Sequence, residues 1–221
     1  MEGWVKRMNF SVKWLGHASF IIKAEGKTIY IDPYEGEYTA KADIILVTHS
    51  HHDHCDPSKI NKIRKDDTTI IAPADCAPKI GGKVKTLKPG EKAIVGNITV
   101  EATEAYNYKR FRSPGTPYHP KGLGVGYLIT AEGKRVYHAG DTDFIPEMNQ
   151  LGKIDLALLP SGGTYTMDNP EAVEATLAIK PKVAIPMHRW DTNTTEFKRG
   201  VEARSRIKVV TLKPGQQFTL Q

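Results

Sequence analysis

The 221-residue sequence has only two cysteines, Cys55 and Cys76, in no Cys-x-x-Cys pair and with no resemblance to a disulfide framework. No segment approaches the ~20 consecutive apolar residues that a bilayer span requires. The opening stretch MEGWVKRMNF has no apolar run long enough for a secretion signal. No linker, low-complexity segment or residue-level repeat interrupts the chain. These absences exclude a disulfide-stapled secreted scaffold and a helical membrane protein, and they make a reducing cytoplasm the expected compartment. One domain over residues 1–221 is expected, because the length supports a single sizeable core.

Apolar residues make up 39% and charged residues 25%, as in ordinary globular proteins. The formal charge of +6 admits an anionic substrate or a nucleic acid as partner. Yet acidic residues are interspersed throughout: the most basic stretch, residues 180–208, still contains Asp191, Glu196 and Glu202. A mixed, solvated surface accounts for most of that charge.

Short apolar runs between Gly, Pro and Asp predict strands over Asn9–Leu15, Ala18–Ala24 and Lys27–Ile31, with Glu25-Gly26 as a tight turn. The unbroken run Ala42–Thr48 reads as a strand buried on both faces. Asp56-Pro57 opens a helix, and Thr68–Ala72 returns as a strand. Lys83–Thr103 reads as a strand meander, and Tyr106–Lys121 as a long loop of the kind that often carries function. Gly124–Ala131 and Lys134–Ala139 form a hairpin. Strands then follow at Asp155–Leu159, Lys182–Pro186 and Ile207–Leu212, with helices from Asn169 to about Ile179 and from Thr194 to about Ser205. Strand meanders with interleaved helices predict an α/β protein in which two sheets pack together under outer helices.

Four of the eight histidines stand in the single stretch His49-Ser50-His51-His52-Asp53-His54. The stretch begins where a buried strand ends, the usual place for a site in α/β proteins. Packing gives no reason for so many imidazoles together. Imidazole with carboxylate suits Zn, Mn or Fe rather than Ca or Mg. Further ligands must come from elsewhere, and Asp141, His188 and His119 each stand beside a predicted strand.

With these residues in place, the sequence resembles the metallo-β-lactamase superfamily, whose His-x-His-x-Asp-His signature is matched by His49, His51, Asp53 and His54. Matching segments also include Leu15-Gly16-His17-Ala18-Ser19, Ile31-Asp32-Pro33, Gly140-Asp141-Thr142, Leu159-Pro160-Ser161-Gly162-Gly163 and Pro186-Met187-His188. Within the superfamily it looks most similar to small metal-dependent hydrolases related to L-ascorbate 6-phosphate lactonase. The resemblance implies an αβ/βα sandwich, two mixed β-sheets packed face to face with helices on the outside. It assigns His49, His51 and His119 to one divalent ion, Asp53, His54 and His188 to a second, and makes Asp141 the bridge. Zn is the first expectation for both, with Mn or Fe as alternatives. Many relatives place the first ion's third histidine near Tyr106, where this chain has none, so His119 takes that role. Asp32 corresponds to a carboxylate that orients a ligating imidazole. His52 is a variable position, and Cys55 an inert neighbour. His17 and His138 either hold structure by hydrogen bonds or contact substrate and move protons. Gly162-Gly163 either presents N–H groups to an oxyanion or forms a tight turn.

Two ions roughly 3.5–4 Å apart lower the pKa of a shared water and yield hydroxide near neutral pH. The expected reaction is attack of that hydroxide on an ester, lactone or phosphoester of a small anionic metabolite. Asp53 and Asp141 are the expected catalytic carboxylates, and Lys109, Arg110, Arg112 and Arg189 are candidate anion contacts. A nuclease and a non-catalytic metal-binding protein are the alternatives. A diiron redox enzyme is a further one, although those relatives carry Glu at the position of His51 and a flavin domain for which the chain has no room. A nucleic-acid partner is not expected; a homo-oligomer is compatible with the sequence.

Overall fold

The computed structural model describes residues 10–221, so Asn9, the start of the first predicted strand, lies outside the described residues. In the first half, β1 (Ser11–Gly16), β2 (Ser19–Ala24), β3 (Lys27–Ile31), β4 (Ile44–Leu46), β5 (Thr69–Ala72) and β6 (Val84–Thr86) are joined by two helices, α1 (Pro57–Ile63) and α2 (Ala77–Ile80). The second half runs through β7 (Lys92–Val95), β8 (Ile98–Ala105), β9 (Phe111–Ser113), β10 (Thr116–Pro117), β11 (Gly124–Ala131), β12 (Lys134–His138) and β13 (Leu156–Pro160), with a 3-10 turn at Pro146–Gln150. It ends in α3 (Asn169–Ile179), β14 (Val183–Met187), α4 (Thr195–Glu202), β15 (Lys208–Val209) and β16 (Gln217–Thr219).

Two seven-stranded mixed sheets result, ordered β16-β1-β2-β3-β4-β5-β6 and β15-β14-β13-β12-β11-β8-β7. Period-two alternation sorts their side chains. In β4, Ile44 and Leu46 point into the core between the sheets, where they meet Tyr127, Leu156 and Ile185. Ile45 faces the other way, onto Ile60 and Ile63 of α1. In β13, Leu156 and Leu158 face the intersheet core, while Ala157 and Leu159 pack under α3 and α4 with Ala172, Val173, Phe197 and Val201. Helices therefore cover both outer faces, the expected sandwich. The Asp56 side chain's role is local: it caps α1 by accepting from the backbone N–H of Ser58 and Lys59.

Several expectations need correction. The Lys83–Thr103 meander is not one sheet: β6 pairs parallel with β5 in the first sheet, while β7 and β8 pair antiparallel in the second. A Pro-Gly break at residues 89–90 can close a hairpin or carry the chain between layers, and local pattern does not distinguish them. The Tyr106–Lys121 loop contains the hairpin β9–β10. The last predicted strand, Ile207–Leu212, shrinks to Lys208–Val209, and α2, the 3-10 turn and β16 carried no clear sequence signal. β16 returns to pair with β1 in the first sheet, tying the two halves of the chain together.

Candidate metal centre

Parallel strands place the site. β3 and β4 in one sheet, and β12, β13 and β14 in the other, run parallel within their sheets, so the loops after their carboxyl ends gather on one rim. Asp32 follows β3, Thr48 and the histidine-rich loop follow β4, Gly140-Asp141 follows β12, and His188 follows β14. The rim is stitched by the Val125 N–H bond to the Thr48 carbonyl (2.9 Å) and the His188 N–H bond to the His17 carbonyl (2.9 Å). Three of its residues, His17, Asp32 and His188, hold left-handed backbones with φ of 47°, 44° and 44°. Such conformations cost non-glycine residues roughly 1–3 kcal/mol each and cluster where geometry serves a site.

All seven expected ligands converge. Asp141 Oδ2 stands at the centre, 3.0 Å from His188 Nε2, 3.3 Å from His119 Nε2, 3.5 Å from His54 Nε2 and 3.9 Å from His49 Nε2. Donor atoms of His49, His51 and His119 lie within 4.8 Å of one another, as do those of His17, Asp53, His54 and His188. These groups coincide with the two expected sets, His17 being the addition. His52, its side chain 87% exposed at the cavity's edge, belongs to none of these donor groups.

A second ring of residues orients the rings. Asp32, fully buried, accepts from the Thr48 backbone N–H (2.8 Å) and hydroxyl (2.7 Å) and from His54 Nδ1 (2.7 Å). Having donated to Asp32, the Thr48 hydroxyl can accept from His49 Nδ1 at 3.0 Å. Asn107 Oδ1 accepts from the His119 N–H (3.0 Å) and from His119 Nδ1 (2.7 Å), while its Nδ2 donates to Asp143 (2.9 Å). Each arrangement puts the proton on Nδ1, so the lone pair on Nε2 faces Asp141.

Whether cations suit this cluster is decided by its donor atoms. Among the described residues, His54 Nε2, His119 Nε2 and Asp141 Oδ1 are buried with no hydrogen-bond partner. Burial of such atoms without partners is costly unless something else satisfies them. Burial pushes His49 well below the ordinary imidazole value and His119 down to about 4, which leaves both rings neutral. Asp141 is itself opposed by burial, but His188 and His54 hold its carboxyl well below the usual range. His54, despite burial, is driven well above the ordinary value by the carboxylates of Asp141 and Asp32. Imidazoles gathered around a buried anion that demands positive charge are the donor set of a divalent transition metal. The residues fit the group.

The remaining expectations divide. Asp53 Oδ2 lies 3.1 Å from His17 Nε2, so His17 belongs to the cluster's edge. His138 does not: its Nε2 donates to the Ala18 carbonyl (3.0 Å), its Nδ1 accepts from Gly140 N–H (3.2 Å), and its ring is fully buried. It braces the turn before Asp141. The Gly163 N–H is spent on the Met167 carbonyl (2.9 Å) and is not offered to an oxyanion. Gly162 matters for space, because a Cβ there would collide with the His188 carbonyl. Gly162→Ala is therefore expected to displace His188 and lower metal content below that of wild type in a folded protein, as read by elemental analysis. Lys109 and Arg110 pair with Glu171 and Asp143. The Arg189 guanidinium sits 4.5 Å from the Trp14 ring and donates to the Leu212 carbonyl. Of the four candidate anion contacts only Arg112 lines the cavity over the cluster. Cys55 and Cys76 are free and packed in the apolar cluster under α1. Sequence reasoning missed Thr48, Asn107, Asp143 and the aromatic rim of Tyr118, Tyr165 and Trp190. Only Thr48, adjoining the histidine run, stood where a pattern pointed.

Sandwich and cluster together define the class: the chain belongs to the beta-lactamase superfamily, whose domain model matches residues 11–188. Within it the chain belongs to the UPF0173 metal-dependent hydrolases, being 32% identical to one from Pelotomaculum thermopropionicum over 95% of this chain and 99% of the relative. It is 36% identical to another from Thermococcus kodakarensis, over 95% and 99% respectively. Among solved structures it superposes on Igni18, a metallo hydrolase of Ignicoccus hospitalis, with a TM-score of 0.78, 27% identity and coverage of 96% and 99%. These relatives bear a general hydrolase description, and the narrower likeness to an ascorbate-phosphate lactonase is not carried by them.

Proposed function

We propose that this metal-dependent hydrolase holds two divalent cations, most simply Zn, and cleaves an ester, lactone or phosphoester of a small anionic molecule. One observation carries the reading: a single buried carboxylate oxygen, Asp141 Oδ2, is within 3.9 Å of four histidine Nε2 atoms drawn from three separate stretches of the chain. When bound, such a cation pair supplies a water of lowered pKa and polarises the electrophilic oxygen. His49, His51 and His119 would hold one cation and Asp53, His54 and His188 the other.

Around that pair the chain's own residues have distinct tasks. Asp53 lines the cavity and is held below the ordinary carboxylate range, against burial, by its bond to His17 and by His54. It stays ionised and is placed to orient the nucleophile and accept a proton, with His17 Nε2 3.1 Å behind it. The cavity holds about 330 Å³, near the lower end for small-molecule sites. A nucleic-acid backbone calls for a track of cations, whereas among the described residues one guanidinium lines this cavity.

The test is to strip the protein with a chelator, reload it with Zn, Mn or Fe, count ions, and assay lactones, phosphoesters, β-lactams and thioesters. Two ions per chain, with hydrolysis that vanishes on stripping and returns on reloading, is the expected result. Hydrolysis indifferent to chelation, or at most one ion per chain, would overturn it.

A further inference from the structure

The mouth of the cavity has features that metal binding does not require. The β9–β10 hairpin is anchored to the ligand loop: the Asn107 N–H bonds the His119 carbonyl (2.7 Å), and the Tyr118 N–H bonds that of Arg110 (3.2 Å). The hairpin carries Arg112 over the cavity, its guanidinium 6.0 Å from the Tyr118 ring centroid. Among the described residues Arg112 makes no ion pair, unlike Lys109 and Arg110 beside it. Tyr118 in turn meets Tyr165 edge-on, with centroids 4.8 Å apart at 87°.

Trp190 lines the same cavity, its ring centroid 4.9 Å from that of His17 and 5.7 Å from that of His188. Two costs are borne there. The indole is 57% exposed, and its backbone is left-handed, φ 46°. A bulky residue takes that conformation only when its surroundings impose it. An exposed aromatic body at a site mouth is surface kept for a ligand. Tyr165, 39% exposed, faces the same space.

Building on the hydrolase reading, we infer that the substrate is an anion with a flat aromatic body. Arg112 anchors its carboxylate or phosphate at the outer end. Trp190 on one side and Tyr118 with Tyr165 on the other flank the ring, and the scissile bond points down at the metal cluster. Arg112 and Trp190 are thus specificity residues, and the loop that supplies His119 also supplies the anion contact.

Three acetyl esters with one scissile bond separate the contributions: 3-acetoxybenzoate (anionic, aromatic), phenyl acetate (neutral, aromatic) and 3-acetoxycyclohexanecarboxylate (anionic, saturated). The metal-loaded enzyme is expected to favour the first by roughly tenfold or more in kcat/KM, the scale of one hydrogen-bonded charge contact. Arg112→Gln should collapse the charge preference, mainly through KM, and Trp190→Leu the preference for the flat ring. Binding is read without turnover from tryptophan fluorescence: 3-hydroxybenzoate should quench the wild type, the quench should vanish in Trp190→Leu, and half-saturation should move roughly tenfold in Arg112→Gln. Two bound metals with no ester cleavage would count against the hydrolase reading, and the fluorescence arm would still decide recognition. A fully loaded enzyme that treats the three esters alike, or binds 3-hydroxybenzoate no better than 3-hydroxycyclohexanecarboxylate, would sink the inference while leaving hydrolysis in place.

Discussion

On the proposed two-cation site, Asp141→Asn is expected to lower metal content to one ion or none per chain and to cut kcat/KM at least about a thousandfold, beyond the 10–100-fold typical when an outer partner of a ligand is lost. The substitution is nearly isosteric, so the fold should persist. What disappears is the one negative charge that four Nε2 atoms surround. His54 owes its elevated affinity for a proton to Asp141 and Asp32 together. The same field that holds a proton on His54 in the bare protein would hold cations in the loaded one. Removing it weakens both ligand sets together, which a change at His51 or His188 would not do. Elemental analysis beside steady-state kinetics checks this. An Asn variant that kept two ions and activity within tenfold of wild type would exclude Asp141 as the bridge.

At Asp32 the fold and the site can be separated. Asp32→Ala removes a fully buried carboxylate that satisfies the Thr48 N–H, the Thr48 hydroxyl and His54 Nδ1. Removing one member of such a buried charged network costs about 3–5 kcal/mol. For a domain of this size that is roughly 6–20 °C in melting temperature, measured by thermal unfolding. Asp32→Asn should behave differently. Its Oδ1 can still accept from Thr48 N–H, but an amide NH₂ in place of Oδ2 would face His54 Nδ1. The ring would then shift its proton to Nε2 and close its donor position. Near-normal stability with metal affinity lowered about 10–100-fold is the expected outcome for Asn. An Asn variant with full metal content would show that Asp32 only holds the loop.

The sequence made this site more legible than its mouth. His49, His51, Asp53 and His54 could be assigned because dense imidazole has no packing explanation, and Asp141 and His188 because each follows an apolar strand. His119 was a candidate from its place just before an apolar strand, the family resemblance supplied its role, and it lies 3.3 Å from Asp141. Its supporting partner Asn107 lay hidden, because an Asn in a Pro- and Gly-rich loop reads as a turn residue. Lys109, Arg110 and Arg189 looked like anion contacts. They proved to be held by Glu171, Asp143 and Trp14, partners at least 33 residues away that adjacency along the chain could not suggest.

The sequence alone determined the donor chemistry, the strand-and-helix alternation that yields the sandwich, and the ends at which ligands stand. Composition and period-two patterning are local properties, so they can be read without knowing which strands pair. The tertiary structure alone decided that β6 and β7 part into different sheets, that His138 braces while His17 meets Asp53, and that Arg112 is the cation left facing the cavity. Those outcomes depend on contacts between distant segments, where a side chain's charge, tautomer and reach are fixed by neighbours that spacing along the chain does not reveal.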